Sequence, residues 1–320
     1  MVCLPRLDPE MWPNVSPSLA LFTCQIVRRR IVSQYSGEWD LRRVLLGLAG
    51  CALLSGPAVA GGYDDFNHGV TAFHFGHYDE AIGFFTSALA STELIPDLRT
   101  VALLDRGLVY VQKKQLDLAK ADLDAAEKAS PDDVTVLEAH AHLYQDLGQY
   151  EVAMADAAHA IKEAPARSPL YFLRCQIDFE AAQYQVAVSD CAAYVRFDPT
   201  AAYGVIWMAM SLARSKQDLG PAFATVDRIN TWYWPGPLID LYRGKGTAEG
   251  VKAEWSKDQY GDEGDAKKGR ICEADFYGGE WHLGRGETAV AKAMLAAVPN
   301  ECPKDYIEID GAKAELARLK

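Results

Sequence analysis

The stretch Thr135–Pro165, TVLEAHAHLYQDLGQYEVAMADAAHAIKEAP, reads as two antiparallel helices, Leu137–Leu147 and Tyr150–Ala164, joined at Gly148-Gln149. In the second, Tyr150, Ala153, Ala157, Ala160 and Ile161 fall on one apolar stripe at helical spacing. The first offers Leu137, Ala141 and Tyr144. Small residues at Ala141, Ala153 and Ala157 predict close approach of the two backbones, and Pro165 stops the second helix because it lacks an N–H and restricts its predecessor. A hairpin this small cannot bury its own apolar faces, so it requires copies on either side.

The copies are present. Stepping back 34 residues from the Tyr150, Ala153, Ala160 and Pro165 positions gives Leu116, Ala119, Ala126 and Pro131; stepping forward 34 gives Tyr184, Ala187, Tyr194 and Pro199. A further copy, 38 residues ahead of the second, carries Gly76, Tyr78, Ala81, Phe85 and Ala88, with its extra residues in the polar link Ser91-Thr92-Glu93. Gly69, Gly107, Ala141 and Cys175 occupy one small-residue position in the first helices. The periodicity predicts an all-α solenoid of helical hairpins. These residue types over Tyr63–Pro199 resemble the tetratricopeptide repeat (TPR), with departures at Asp178, Lys114 and Glu93.

With 49% apolar residues, 320 residues suffice for one long core. The net charge is −12; the first 60 residues hold 6 of the 32 basic and 4 of the 44 acidic residues, which leaves −14 on the remainder. Such a surface disfavours nucleic acid, whose binding requires Lys and Arg against phosphates.

Residues 1–60 read as a leader. Arg42-Arg43 precede the apolar run Val44–Leu54, and Ala58-Val59-Ala60 supplies a small-x-small cleavage site, so export with cleavage after Ala60 is expected. The run is too short to span a bilayer, which takes roughly 20 apolar residues. Leu48-Ala49-Gly50-Cys51 also matches a bacterial lipobox, so Cys51 is the lipidation candidate of the alternative, an outer-membrane-anchored lipoprotein. Residues 1 to about 35 lack n-region character and read as an over-extended translation start.

Export leaves four cysteines in the mature chain, and an even set permits disulfides. Cys175 on a first helix faces Cys191 on its partner, whereas Cys272 begins a later helix and Cys302 follows that helix's antiparallel partner. The expected pairs are therefore 175–191 and 272–302, the alternative being buried free thiols.

Beyond Ala201 the repeat weakens. Val205–Arg214 and Pro221–Ile229 read as a degenerate hairpin, followed by an aromatic knot, Thr231-Trp232-Tyr233-Trp234-Pro235-Gly236-Pro237. Short helices are expected at Leu238–Arg243 and Val251–Lys257, a mobile loop over Asp258–Arg270, a hairpin at Ile271–Leu283 and Glu287–Val298, and a capping helix from about Asp310 to Lys320. The expected organisation is a leader (1–60), four repeats (61–200), a degenerate repeat with aromatic link (201–246) and a C-terminal TPR-like hairpin with cap (247–320). The segments Cys272–Tyr277, Cys302–Glu308 and Trp234–Tyr242 resemble NlpI-type envelope TPR lipoproteins. That resemblance implies tethering of envelope hydrolases or proteases, and a homodimer.

No catalytic constellation, cofactor motif or metal set stands out. Gly244-Lys245-Gly246-Thr247 lacks Walker spacing and a preceding strand. His140 and His142 lie two apart, on different helix faces, and His74 and His77 flank a turn. The inner wall formed by the first helices is more informative. Its aligned positions are Phe66, Leu104, Glu138 and Phe172; Val70, Leu108, His142 and Gln176; and Phe73, Val111, Gln145 and Phe179. This predicts a groove apolar at both ends with a polar middle, suited to an amphipathic helix or extended apolar peptide. The function expected is a non-enzymatic, exported, periplasmic scaffold or adaptor that binds a protein or peptide partner. The alternatives are an envelope enzyme or subunit with a site near residues 232–270, and a structural homo-oligomer whose groove its own chain fills.

Overall fold

The computed structural model describes residues 61–257, 264–303 and 306–320. Among them are α-helices and short 3-10 turns, with no strand. Four hairpins run in sequence: α1 (Gly62–His74) with α2 (Tyr78–Ala90), α3 (Pro96–Gln112) with α4 (Leu116–Ala129), α5 (Val134–Asp146) with α6 (Tyr150–Glu163), and α7 (Ser168–Glu180) with α8 (Tyr184–Phe197). Each packs on the next through its second helix. Residues 1–60, including Ala60 and Cys51, lie outside the described residues.

The small-residue position sets how closely each pair approaches. A Cβ on Gly69 would lie 2.7 Å from the Phe85 ring, and one on Gly107 would lie 2.8 Å from Leu123. In the fourth hairpin Cys175 and Cys191 take these two places and are joined as a disulfide, Cα atoms 5.4 Å apart. The turns share a residue with positive φ. Glycine supplies it at Gly76 and Gly148, but Lys114 (φ 55°) and Ala182 (φ 60°) adopt it with a Cβ, which costs roughly 1–2 kcal/mol at each.

The fifth hairpin departs from expectation. Its first helix, α9 (Ala202–Arg214), forms and packs on α8. Where the second helix was expected there are only the 3-10 turns Gly220–Phe223 and Val226–Arg228. Pro221 has no N–H to donate and disfavours a continuous α-helix through Gly220, so the segment forms short 3-10 turns instead. The chain continues through α10 (Gly236–Tyr242) and α11 (Ala248–Trp255) to α12 (Asp265–Arg285), which packs directly on α9. Helix α12 starts six residues before the expected Ile271, so Asp265–Arg270 is helical rather than loop, and Cys272 sits within a helix rather than at its start; residues 258–263 lie outside the described residues.

Helix α12 and α13 (Thr288–Glu301) form a hairpin of the same geometry as α3–α4. A Cβ on Gly279 would meet Leu295 at 2.8 Å and the Ala291 carbonyl at 3.5 Å, the same distances at which one on Gly107 would meet Leu123 and Ala119. Gly286 (φ 81°) takes the turn position of Lys114. Cys272 and Cys302 are joined, Cα atoms 4.8 Å apart, closing the open end of this hairpin. The last helix, α14 (Glu308–Arg318), packs on α13, α12 and α7.

Candidate partner-binding groove

The inner wall is lined by one face of α1, α3, α5, α7, α9 and α12, and its two halves differ. Over the first three repeats Val70, Phe73, Leu108 and Val111 are half-buried and His142 is exposed. Tyr63, one turn before Phe66, is 59% exposed; sequence reasoning passed over it because it lies at the helix start. Three expected lining residues are not available there. Phe66 packs on Phe85, ring centroids 6.1 Å apart, and Leu104 is buried in the hairpin core. Glu138 is buried and ion-paired to Arg167 at 2.5 Å. Burial drives its pKa up to about 7 against the opposing pull of Arg167. Phe66 and Leu104 turn toward the second helices, where they exclude more water than they would on an open wall.

The second half is closed. Phe179 and Gln176 are buried, and Phe172 stacks on Tyr194 at 4.7 Å and meets Trp207 edge-on at 6.2 Å. Phe179 meets Trp207 edge-on at 5.3 Å, and both belong to the core that Phe276, Tyr277 and Ala312 complete. The fourth-repeat end of the expected groove is therefore packed into the chain's own core, against Trp207 of α9 and, at Phe179, the cluster that includes Ala312 of α14. Polar groups fix the closure. Arg214 donates to Glu280 (2.6 Å) and to Glu315 of α14 (3.0 Å), and its guanidinium lies 4.4 Å from the Tyr184 ring centre. Burial disfavours the Arg214 charge, but Glu280 and Glu315 outweigh it and raise the pKa. Burial and the neighbouring Glu315 push Glu280 up to about 8.

A second buried set stands at the other end of α14. Tyr203 and the Trp234 indole N–H donate to Glu273 at 2.7 and 2.8 Å, and Tyr277 donates to Glu308 at 3.0 Å. Burial, then the Glu308 charge, raises Glu273 to about 8. Trp234 of the aromatic knot packs inward against Trp255 at 5.4 Å, whereas Trp232 and Tyr233 are 88% and 70% exposed. Among the described residues, the titratable groups near the knot converge on the buried Glu273 carboxyl. A shallow cleft of about 450 Å³ between α11, α12 and α13 is lined by Glu249, Lys252 and Asp275, and Lys252 is tied to Asp275 (2.6 Å) and Glu301 (3.0 Å).

Polar residues also repeat. Arg106–Asp122 (2.7 Å), His140–Asp156 (2.7 Å) and Arg174–Asp190 (2.6 Å) join the two helices of successive hairpins at matching positions. His140 additionally meets Asp124 of the preceding hairpin at 3.0 Å. Burial works against its charge, yet the two aspartates prevail and raise its pKa. Asp132, His159 and Glu163 bring ligand-type atoms within 4.8 Å of one another on the surface, where an ion pair of 3.0 Å from His159 to Asp132 accounts for two of them.

The tetratricopeptide-repeat profile matches residues 101–133 and 134–167, the second and third hairpins. The fold is a TPR solenoid. A TPR protein from Parabacteroides merdae is 16% identical, with a TM-score of 0.54 over 79% of this chain and 98% of that one. YrrB, described as a TPR protein with an unusual peptide-binding site, is 18% identical (TM-score 0.45, 53% of this chain, 84% of that one). MamA from Desulfovibrio magneticus RS-1 is 16% identical (TM-score 0.47, 52% and 92%). No curated protein matches the chain.

Proposed function

We propose that this TPR protein is a non-enzymatic scaffold or adaptor that receives a protein partner on the inner wall of its first three repeats. The observation that carries the proposal is the contrast along one wall. Phe179 is buried in the main core and Phe172 is packed between Tyr194 and Trp207, while Val70, Phe73, Leu108 and Val111 remain partly exposed beside Tyr63 and His142. Apolar positions aligned along successive first helices suit the apolar face of a helix or an extended peptide.

The place of action we propose is the bacterial envelope, exported to the periplasm through the leader that ends at Ala60. A lipoprotein anchored at Cys51 is the variant of this reading. Two disulfides support an oxidising compartment. The NlpI-type resemblance points to envelope hydrolases or proteases as the partner class, and to a homodimer. Affinity capture from envelope extract with the mature chain tests the reading, alongside Phe73→Glu/Leu108→Glu. A defined partner retained by the native protein and lost by the variant is expected. Equal capture by both would remove the groove from the account, and a self-associated species broken by the variant would assign the wall to assembly.

A further inference from the structure

The turn that opens the third hairpin and the helix that closes it meet at one end of that hairpin, because α5 and α6 run antiparallel. Asp132 stands in this turn, just before Val134, and His159 and Glu163 stand on the last turns of α6. Four residues apart, His159 and Glu163 share one helix face. Asp132 Oδ1 lies 3.0 Å from His159 Nε2, and Glu163 Oε1 lies 3.8 Å from the same nitrogen. One ligand-type atom from each of the three residues falls within 4.8 Å of the other two.

An ion pair does not use all three groups. Nε2 presents a single hydrogen or a single lone pair. The contact with Asp132 takes it, and 3.8 Å is beyond hydrogen-bond reach for Glu163. Glu163 is met instead by Lys162 at 3.1 Å, through a side chain that is 77% exposed and whose flexible stem can turn back to water. A divalent cation satisfies all three at once. Metal–ligand bonds of about 2.0–2.1 Å at tetrahedral angles hold ligand atoms about 3.3 Å apart. That value lies between the two separations from Nε2, so small rotations of these partly exposed side chains close the set.

Packing does not call for these residues. One repeat earlier, Ala125 and Ala129 hold the places of His159 and Glu163; one repeat later, Ala193 and Phe197 hold them. The place of Asp132 is held one repeat later by Ala166. The solenoid forms in those repeats without a ligand-type side chain at these places, and only the third carries all three together.

We infer that Asp132, His159 and Glu163 form a binding site for a divalent ion of the zinc type, with water completing its shell. One imidazole with two carboxylates suits zinc, whereas calcium and magnesium take oxygen donors. The ion clasps the turn between the second and third repeats to the last turn of α6.

The test titrates the full oxidised chain with zinc chloride alone, the disulfides keeping their cysteines out of the competition. The native chain takes up one zinc ion that His159→Ala and Glu163→Gln each bind at least about tenfold more weakly, since loss of even an outer-shell partner costs that much. The double variant His74→Ala/His77→Ala, which removes exposed histidines at the first hairpin turn, leaves this uptake unchanged. Hydrogen exchange locates the ion: zinc slows the amides of residues 130–133 in the native chain and not in His159→Ala. Absence of saturable uptake, equal uptake by the native and His159→Ala proteins, or loss of uptake in His74→Ala/His77→Ala would overturn the inference.

Discussion

The α3–α4 and α12–α13 hairpins are built on one plan and face opposite fates. Both seat a glycine of the first helix on a leucine of the second, with the same 2.8 Å approach for an added Cβ. Yet the wall beside α3 is partly open, and the wall beside α12 is covered by α14. The difference lies in the polar residues that face the groove. The α3 wall presents Leu108 and Val111, which need only apolar contact, whereas α12 presents Glu273 and Glu280, which are stable when buried only because α14, α9 and the aromatic knot supply partners. Backbone geometry makes the groove, and side-chain charge decides whether the chain occupies it.

The largest expected effect separates the two ends through their arginines. Arg214→Ala removes the cation paired to buried Glu280 and leaves Glu315 with Arg318 alone, and costs about 3–5 kcal/mol, whereas Arg106→Ala removes a two-point pair to Asp122 and a bond to Thr86 and costs about 1–3 kcal/mol. Denaturant titration of both variants checks this, and equal losses would break the comparison.

The same contrast appears as a pH dependence. Burial holds Glu180, Glu273 and Glu280 at about 8. Their folded pKa values exceed the unfolded value of about 4.3, so the folded state binds more protons between these limits and loses stability as pH rises from about 4.5 to 8. In the third repeat His140 is raised by Asp156 and Asp124. Its contribution is fully present below the unfolded histidine value and is lost as pH rises through the folded one. Thermal unfolding from pH 5 to 9 should show falling stability, and Glu273→Gln should flatten the slope. A slope unchanged in that variant would remove Glu273 as its source.

Matching alanine substitutions sharpen the structural equivalence. Gly107→Ala and Gly279→Ala each force a methyl against a buried leucine and should cost about 1–3 kcal/mol. A tolerated Gly279→Ala would show that the C-terminal hairpin packs more loosely than the second repeat. The smallest effect is a gain: Lys114→Gly or Ala182→Gly relieves a left-handed turn residue and stabilises by about 1 kcal/mol in thermal unfolding.

The first four hairpins were legible because their small residues and prolines recur in phase. The C-terminal TPR-like hairpin was expected, but its register against the second repeat was not. Pro221 and the aromatic link shift its phase, so Gly279 and Leu295 fall off the 34-residue grid set by Gly107 and Leu123. The recurrent pairs Arg106–Asp122, His140–Asp156 and Arg174–Asp190 keep that grid and could have been found by aligning polar columns as well as apolar ones. Closure of the groove over Phe172 and Phe179 was not legible. A terminal amphipathic helix reads alike whether it caps the end of a solenoid or lies across its wall, and the Arg214, Glu280 and Glu315 that decide the matter are far apart in sequence.

The most direct test of the two-part groove is site-specific photocrosslinking in envelope extract, with the reactive residue placed at Leu108 or at Phe179. The account predicts a partner protein crosslinked from Leu108, and from Phe179 only internal crosslinks within the core it shares with Trp207 and Ala312. Partner crosslinks from Phe179 alone, or identical products from both positions, would contradict it.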